Sequence, residues 1–151
     1  MTVKQTSLYL AFGLALLSSG CVQKVVDAEI NKEATRIFFD GVFNHGLTEI
    51  VEFSLADDYT YNGHHSKVDG TIKWAESLRK TYPDLHFAIN DLIGEGHKVA
   101  IRWTMTGTGA DGIEITTSGT TIITFRDGKA ISNWQNGGKP GDVHPVSKPT
   151  S

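Results

Sequence analysis

Residues 85–136 read LHFAINDLIGEGHKVAIRWTMTGTGADGIEITTSGTTIITFRDGKAISNWQN, and the reading of this stretch decides the fold. Val, Ile, Thr, Phe and Trp crowd into four runs, residues 85–93, 98–108, 114–126 and 129–135. Such side chains suit a pleated, half-buried surface. Between the runs lie Gly94-Glu95-Gly96-His97, Ala110-Asp111-Gly112 and Asp127-Gly128, each carrying the glycine that a hairpin turn favours. The pattern predicts a four-stranded antiparallel meander. Along 98–108, Val99, Ile101, Trp103 and Met105 alternate with Ala100, Arg102, Thr104 and Thr106. The first set is expected to face a core and the second to face outward.

Upstream the period changes. Ile30, Ala34, Ile37, Phe38, Gly41 and Val42 recur at helical spacing, which predicts an amphipathic helix over roughly residues 25–44. Asn44-His45-Gly46 ends it, with Gly46 suited to a left-handed cap. Leu47, Ile50, Val51 and Phe53 suggest a shorter second helix, and residues 57–62, DDYTYN, a short strand. Ile72, Ala75, Leu78 and Tyr82 mark a third helix, started by Asp69 or Thr71 and stopped by Pro83. Three helices followed by a meander make an α+β domain, whose sheet can curl over the helices and leave a cavity.

The first twenty residues read differently. Lys4 is the only charge before Cys21, and Ser7 to Leu17 is the apolar run SLYLAFGLALL. That run is shorter than the ~20 residues a membrane span needs and has the length of a signal peptide's apolar region. It ends in Leu17-Ser18-Ser19-Gly20-Cys21, which resembles the bacterial lipobox. The resemblance implies that residues 1–20 are a lipoprotein signal peptide, that Cys21 is acylated, and that residues 21–29 tether the domain. Cys21 is the only cysteine, so no disulfide is expected. Two or three acyl chains, at ~0.8 kcal/mol per buried methylene, would hold the chain on a membrane almost permanently. Val22, where Asp would favour inner-membrane retention, points to the periplasmic side of the outer membrane if the cell is Gram-negative.

Loss of the leader leaves 131 residues, enough for one domain. The formal charge of −3 becomes −4 without Lys4, and no basic cluster is present, which argues against a nucleic-acid partner. Residues 137–151, GGKPGDVHPVSKPTS, read as a disordered tail, leaving residues 30–136 as the domain.

The order helix, helix, short strand, helix, meander resembles the cone-shaped fold of the nuclear-transport-factor-2-like superfamily, and within it the SnoaL-like polyketide cyclase family. The residues that carry this are Leu55-Ala56-Asp57-Asp58, Tyr82-Pro83-Asp84-Leu85, Asp91-Leu92-Ile93 with Gly96, residues 99–104 (VAIRWT) with Gly107-Thr108, and residues 125–129 (FRDGK) with Trp134. The resemblance runs from about Ile30 to Asn136. It implies a pocket inside the cone and a homodimer joined through the outer face of the sheet.

On the last strand Ser132, Trp134 and Asn136 share one face, which in the family lines the cavity. Asn62 falls where relatives place a polar pocket group. The expected ligand pocket is therefore Asn62, Trp103, Trp134 and Asn136, with Phe39, Phe53 and Trp74 as apolar walls. Trp103 and Trp134 are equally compatible with a plain core role, and alternation favours Arg102 as a surface or interface residue over a ligand clamp. Among the histidines only His64-His65 is a local pair, and strand neighbours point to opposite faces, so no metal site is expected. No serine sits in a nucleophile elbow.

Cyclisation or isomerisation beside a carbonyl needs a base and a donor for the enolate oxygen. The resemblance implies an acidic residue soon after the final tryptophan and often a histidine after the Gly-Thr of the long strand. Here Gln135, Asn136, Gly137 and Gly138 follow Trp134, and Gly109 follows Thr108. Ketosteroid isomerases of the same fold use an aspartate and a tyrosine where this chain has Asn62 and Phe39. An amide is no base near neutral pH, and phenylalanine donates no hydrogen bond. The expected function is a lipid-anchored domain that binds a small, mostly apolar molecule or a partner at the cell envelope. The alternative is a cofactor-independent cyclase, isomerase or hydrolase on a small carbonyl substrate, with Asp58, His64 or His65 as base.

Overall fold

The computed structural model describes residues 6–137, with side chains from residue 20 onward. Helix α1 (Thr6–Phe39) runs into a π turn (Asp40–Asn44), followed by α2 (Glu49–Ser54), β1 (Leu55–Tyr61), β2 (His64–His65) and α3 (Val68–Thr81). The meander is β3 (His86–Glu95), β4 (Lys98–Thr108), β5 (Glu114–Arg126) and β6 (Lys129–Gly137). All six strands form one sheet in the order β2-β1-β6-β5-β4-β3, antiparallel except where β1 pairs with β6 in parallel. The fold class is α+β, with helices packed on a curved, mostly antiparallel sheet, as the periodicities imply.

The four meander strands and their turns stand where the sequence places them. Asp127 and Gly128 both have positive φ (52° and 77°), the two left-handed residues that a tight hairpin of matching twist requires. On β4, Val99, Ile101, Trp103 and Met105 are buried against Phe39, Phe43, Leu78 and Phe87 of the core. The expected first helix is longer, and residues 21–29, expected as a tether, lie within α1. Ala28, Asn31 and Thr35 are buried, and Asn31 Nδ2 donates to Gly96 O at 3.2 Å, so α1 meets the sheet from residue 28. Gly137 closes β6, and the rest of the expected tail, residues 138–151, lies outside the described residues, as do the side chains of most of the leader.

The end of α1 is where the helical layer is fixed to the sheet. The π turn swings Asn44 toward β3. Its Nδ2 donates to Phe87 O (3.0 Å) and its Oδ1 accepts from Phe87 N (2.6 Å). Arg79 of α3 donates to Phe43 O (2.6 Å) and Asn44 O (3.0 Å), which satisfies carbonyls left open at that helix end. Phe43 and Phe87 are thereby held at the floor of a cavity.

Candidate functional site

The cavity is about 530 Å³ and lies between the helices and the concave face of the sheet. Eight aromatic side chains line it: Phe38 and Phe39 from α1, Phe43 from the π turn, Tyr59 and Tyr61 from β1, Trp74 from α3, Phe87 from β3 and Trp103 from β4. The rings form a continuous surface. Phe87 stacks on Phe39 (4.8 Å between centroids) and on Phe43 (5.3 Å), and sits 5.1 Å from Trp103. Trp74 meets Phe43 edge-on at 5.3 Å and, 43% exposed, stands at the mouth.

Trp103 is 3% exposed and serves both as core and as cavity wall. Its indole Nε1 donates to the buried Thr121 Oγ1 at 3.0 Å, which gives the ring's one polar atom a partner. The ring lies across Gly119 of β5 and Gly137 of β6. A Cβ on Gly119 would stand 2.5 Å from Trp103 Cζ2, so only glycine lets the indole lie flat there.

Polar atoms reach the lining through Asn62, Ser66, Thr71, Thr117, Asn133 and Gln135. Among the described lining residues there is no Asp, Glu, His, Lys or Arg. The only titratable groups among the described lining residues are two phenols. Burial pushes the Tyr59 phenol up to about 12, partly offset by a hydrogen bond from Asn133, and burial raises Tyr61 as well. Both remain neutral donors at any physiological pH.

Of the residues expected at the pocket, Phe39, Asn62, Trp74 and Trp103 line this cavity together. Asn62 is occupied in holding the sheet. Its Nδ2 donates to Gln135 O (3.2 Å) and its Oδ1 accepts from Gln135 N (2.7 Å), extending the β1–β6 pairing past the end of β1. It does so from a left-handed conformation (φ 49°), which asparagine tolerates better than most residues. Phe53 is 74% exposed and borders a separate, smaller cavity of about 110 Å³.

Trp134 and Asn136 are exposed on the opposite, convex face, and Asn133 and Gln135 line the cavity in their stead. The cause is a bulge. Phe125 pairs with Ala130 but Thr124 pairs with Ser132, so Ile131 is an extra residue in β6. One inserted residue reverses the facing of every side chain beyond it. Ala130 points inward before the bulge, and Asn133 and Gln135 after it. Strict alternation could not reveal this; the turn and the buried Ala130 place the bulge only once the pairing is known.

The residues considered as bases stand elsewhere. Asp58 is exposed and accepts from Arg126 Nη2 at 2.7 and 2.9 Å, and that guanidinium holds its carboxyl below the usual carboxylate range. His64 and His65 are exposed on the two-residue β2 at the sheet's edge. Cys21 is exposed on α1.

The model of the SnoaL-like polyketide cyclase family matches residues 33–137, more than two thirds of the chain. The chain belongs to this family. Solved structures agree in fold. A candidate polyketide cyclase from Acidithiobacillus ferrooxidans is 25% identical, with 73% of this chain and 89% of that one covered at a TM-score of 0.64. One from Bacillus cereus is 24% identical, with 72% and 74% covered, also at 0.64. A candidate hydroxylase from Streptomyces galilaeus is 19% identical, with 72% and 88% covered at 0.62. No protein of curated function matches. SnoaL-like neighbours thus carry more than one reaction name on one cone, and the chemistry of this member has to be read from its own lining.

Proposed function

We propose that this SnoaL-like domain is a binding module that holds a small, mostly apolar molecule at the cell envelope. The observation that carries the reading is the lining itself: eight aromatic rings, a few uncharged polar groups, and no charged side chain among the described residues. Burying apolar area is worth ~25 cal/mol per Å², so such a wall binds well without chemistry. The two phenols can donate to a carbonyl oxygen, but no described lining group can take a proton from carbon near neutral pH. This favours recognition over turnover. The cyclase or isomerase alternative needs a base to reach the cavity, and Asp58, His64 and His65 lie outside it.

In this reading Cys21 carries the lipid and α1 leads from the membrane into the domain, on the periplasmic side of the outer membrane in a Gram-negative cell. Metabolic labelling with a fatty acid tests the anchor: label on the parent and none on Cys21→Ser supports it, and equal labelling refutes it. Native mass spectrometry of the chain from Val22 onward, gently purified from a bacterial host, tests the binding reading. A retained small molecule supports it; a clean spectrum, with no stabilisation by any neutral aromatic added later, counts against it.

A homodimer through the convex face is a second proposal, favoured by one observation. Ile93, Ala100, Ile122 and Trp134 pair in register across β3, β4, β5 and β6, making one apolar row on that face. Ile93, Ile122 and Trp134 are each about half exposed or more. Ile122→Arg should convert a sedimenting dimer to monomer; an unchanged sedimentation coefficient refutes this interface.

A further inference from the structure

We propose that Asn133 Oδ1 is the polar anchor of the cavity, accepting a hydrogen bond from the hydroxyl or N–H of an uncharged ligand. The inference rests on the binding reading above and names the chemical class it would take. Asn133 Oδ1 is the one buried side-chain polar atom among the described residues that receives no hydrogen bond from the protein. Leaving such an acceptor unpaired is costly, and a partner that pairs it recovers that cost.

The position of Asn133 in the sheet fixes its main chain. Its main chain pairs with Tyr61 of β1 on one side and Ile123 of β5 on the other, and its carbonyl accepts from Asn62 N at 2.8 Å. The side chain therefore points to the concave face, at the wall shared by the large cavity and the smaller one. Tyr59 lines both cavities with it. On this proposal the amide turns about its last side-chain bond to present Oδ1 to the ligand.

An acceptor in an otherwise aromatic wall selects for a donor. A carboxylate in its place would meet an amide oxygen of like polarity, with no lysine, arginine or histidine in the described lining to offset its desolvation. A neutral ring system bearing one donor satisfies both requirements, with the ring on Phe39, Phe87 and Trp103 and the donor on Asn133.

Three probes separate the possibilities: indole, N-methylindole, which lacks the donor, and indole carboxylate, which adds a charge. Titration calorimetry with the full chain should show indole binding about tenfold tighter than N-methylindole and the carboxylate weakest. In Asn133→Leu the two neutral probes should bind alike. Equal binding of indole and N-methylindole to the parent overturns the role of Asn133 and leaves the apolar cavity standing. Carboxylate binding as tight as indole overturns the selection for neutral ligands. Binding by none of the three overturns this inference together with the reading it rests on. The parent comparison decides the matter even if Asn133→Leu folds poorly.

Discussion

The two faces of the sheet are built from the same strands and differ in what they do with polarity. On the concave face the polar atoms are few, and several are committed: Trp103 Nε1 to Thr121 and the Asn62 amide to Gln135. On the convex face charges and hydroxyls pair across strands in water, as Arg102 does with Asp91 and Thr104 Oγ1 with Asn90 Oδ1 at 2.8 Å. Exposed pairs of that kind contribute little to stability. The comparison separates burden from opportunity. The inner face supplies the core and an aromatic-lined cavity, whereas the outer face carries an exposed apolar row.

The sharpest way to break the comparison is to remove an inner ring. Trp103→Ala should cost about 3–5 kcal/mol in denaturant unfolding, because it empties a buried indole and strands Thr121. An inner-face loss below about 1 kcal/mol would mean that the ring is not part of the core.

Alkaline pH probes the same face more gently. Tyr59 is protonated in both states below pH 10, so it leaves stability unchanged there. Between pH 10 and about 12 the unfolded chain releases the phenol proton while the folded chain keeps it. Stability should therefore fall by about 2–3 kcal/mol across that window and level off above it. Tyr59→Phe should flatten the slope in that window, and an unaltered slope would contradict the burial.

Asn62→Gly keeps the left-handed backbone and removes both bonds to Gln135, so it should cost about 1–2 kcal/mol. At the far end of the scale, Trp134→Ala on the convex face should change monomer stability by no more than about 0.5 kcal/mol. It should act instead on self-association.

The same contrast explains what the sequence could disclose. The long meander, its turns and the inward set on β4 were legible because period-two patterning and glycine turns are local signals. Phe39, Asn62, Trp74 and Trp103 were found as cavity residues by that patterning and by family resemblance. Asn133 and Gln135 were not, because the bulge at Ile131 depends on how β5 pairs with β6, and a single strand carries no record of it. Phe53 sits on a helix too short for its periodicity to distinguish the large cavity from the small one. The orphan acceptor on Asn133 is a property of the packed interior and has no sequence signature at all.

The most direct test of the cavity as the binding site uses a probe indifferent to Asn133. N-methylindole should bind the parent chain and raise its melting temperature, and Thr71→Trp, which places an indole at the half-buried lining position of α3, should fold and lose both effects. Equal binding and equal stabilisation in the parent and Thr71→Trp would place the ligand elsewhere and contradict the account.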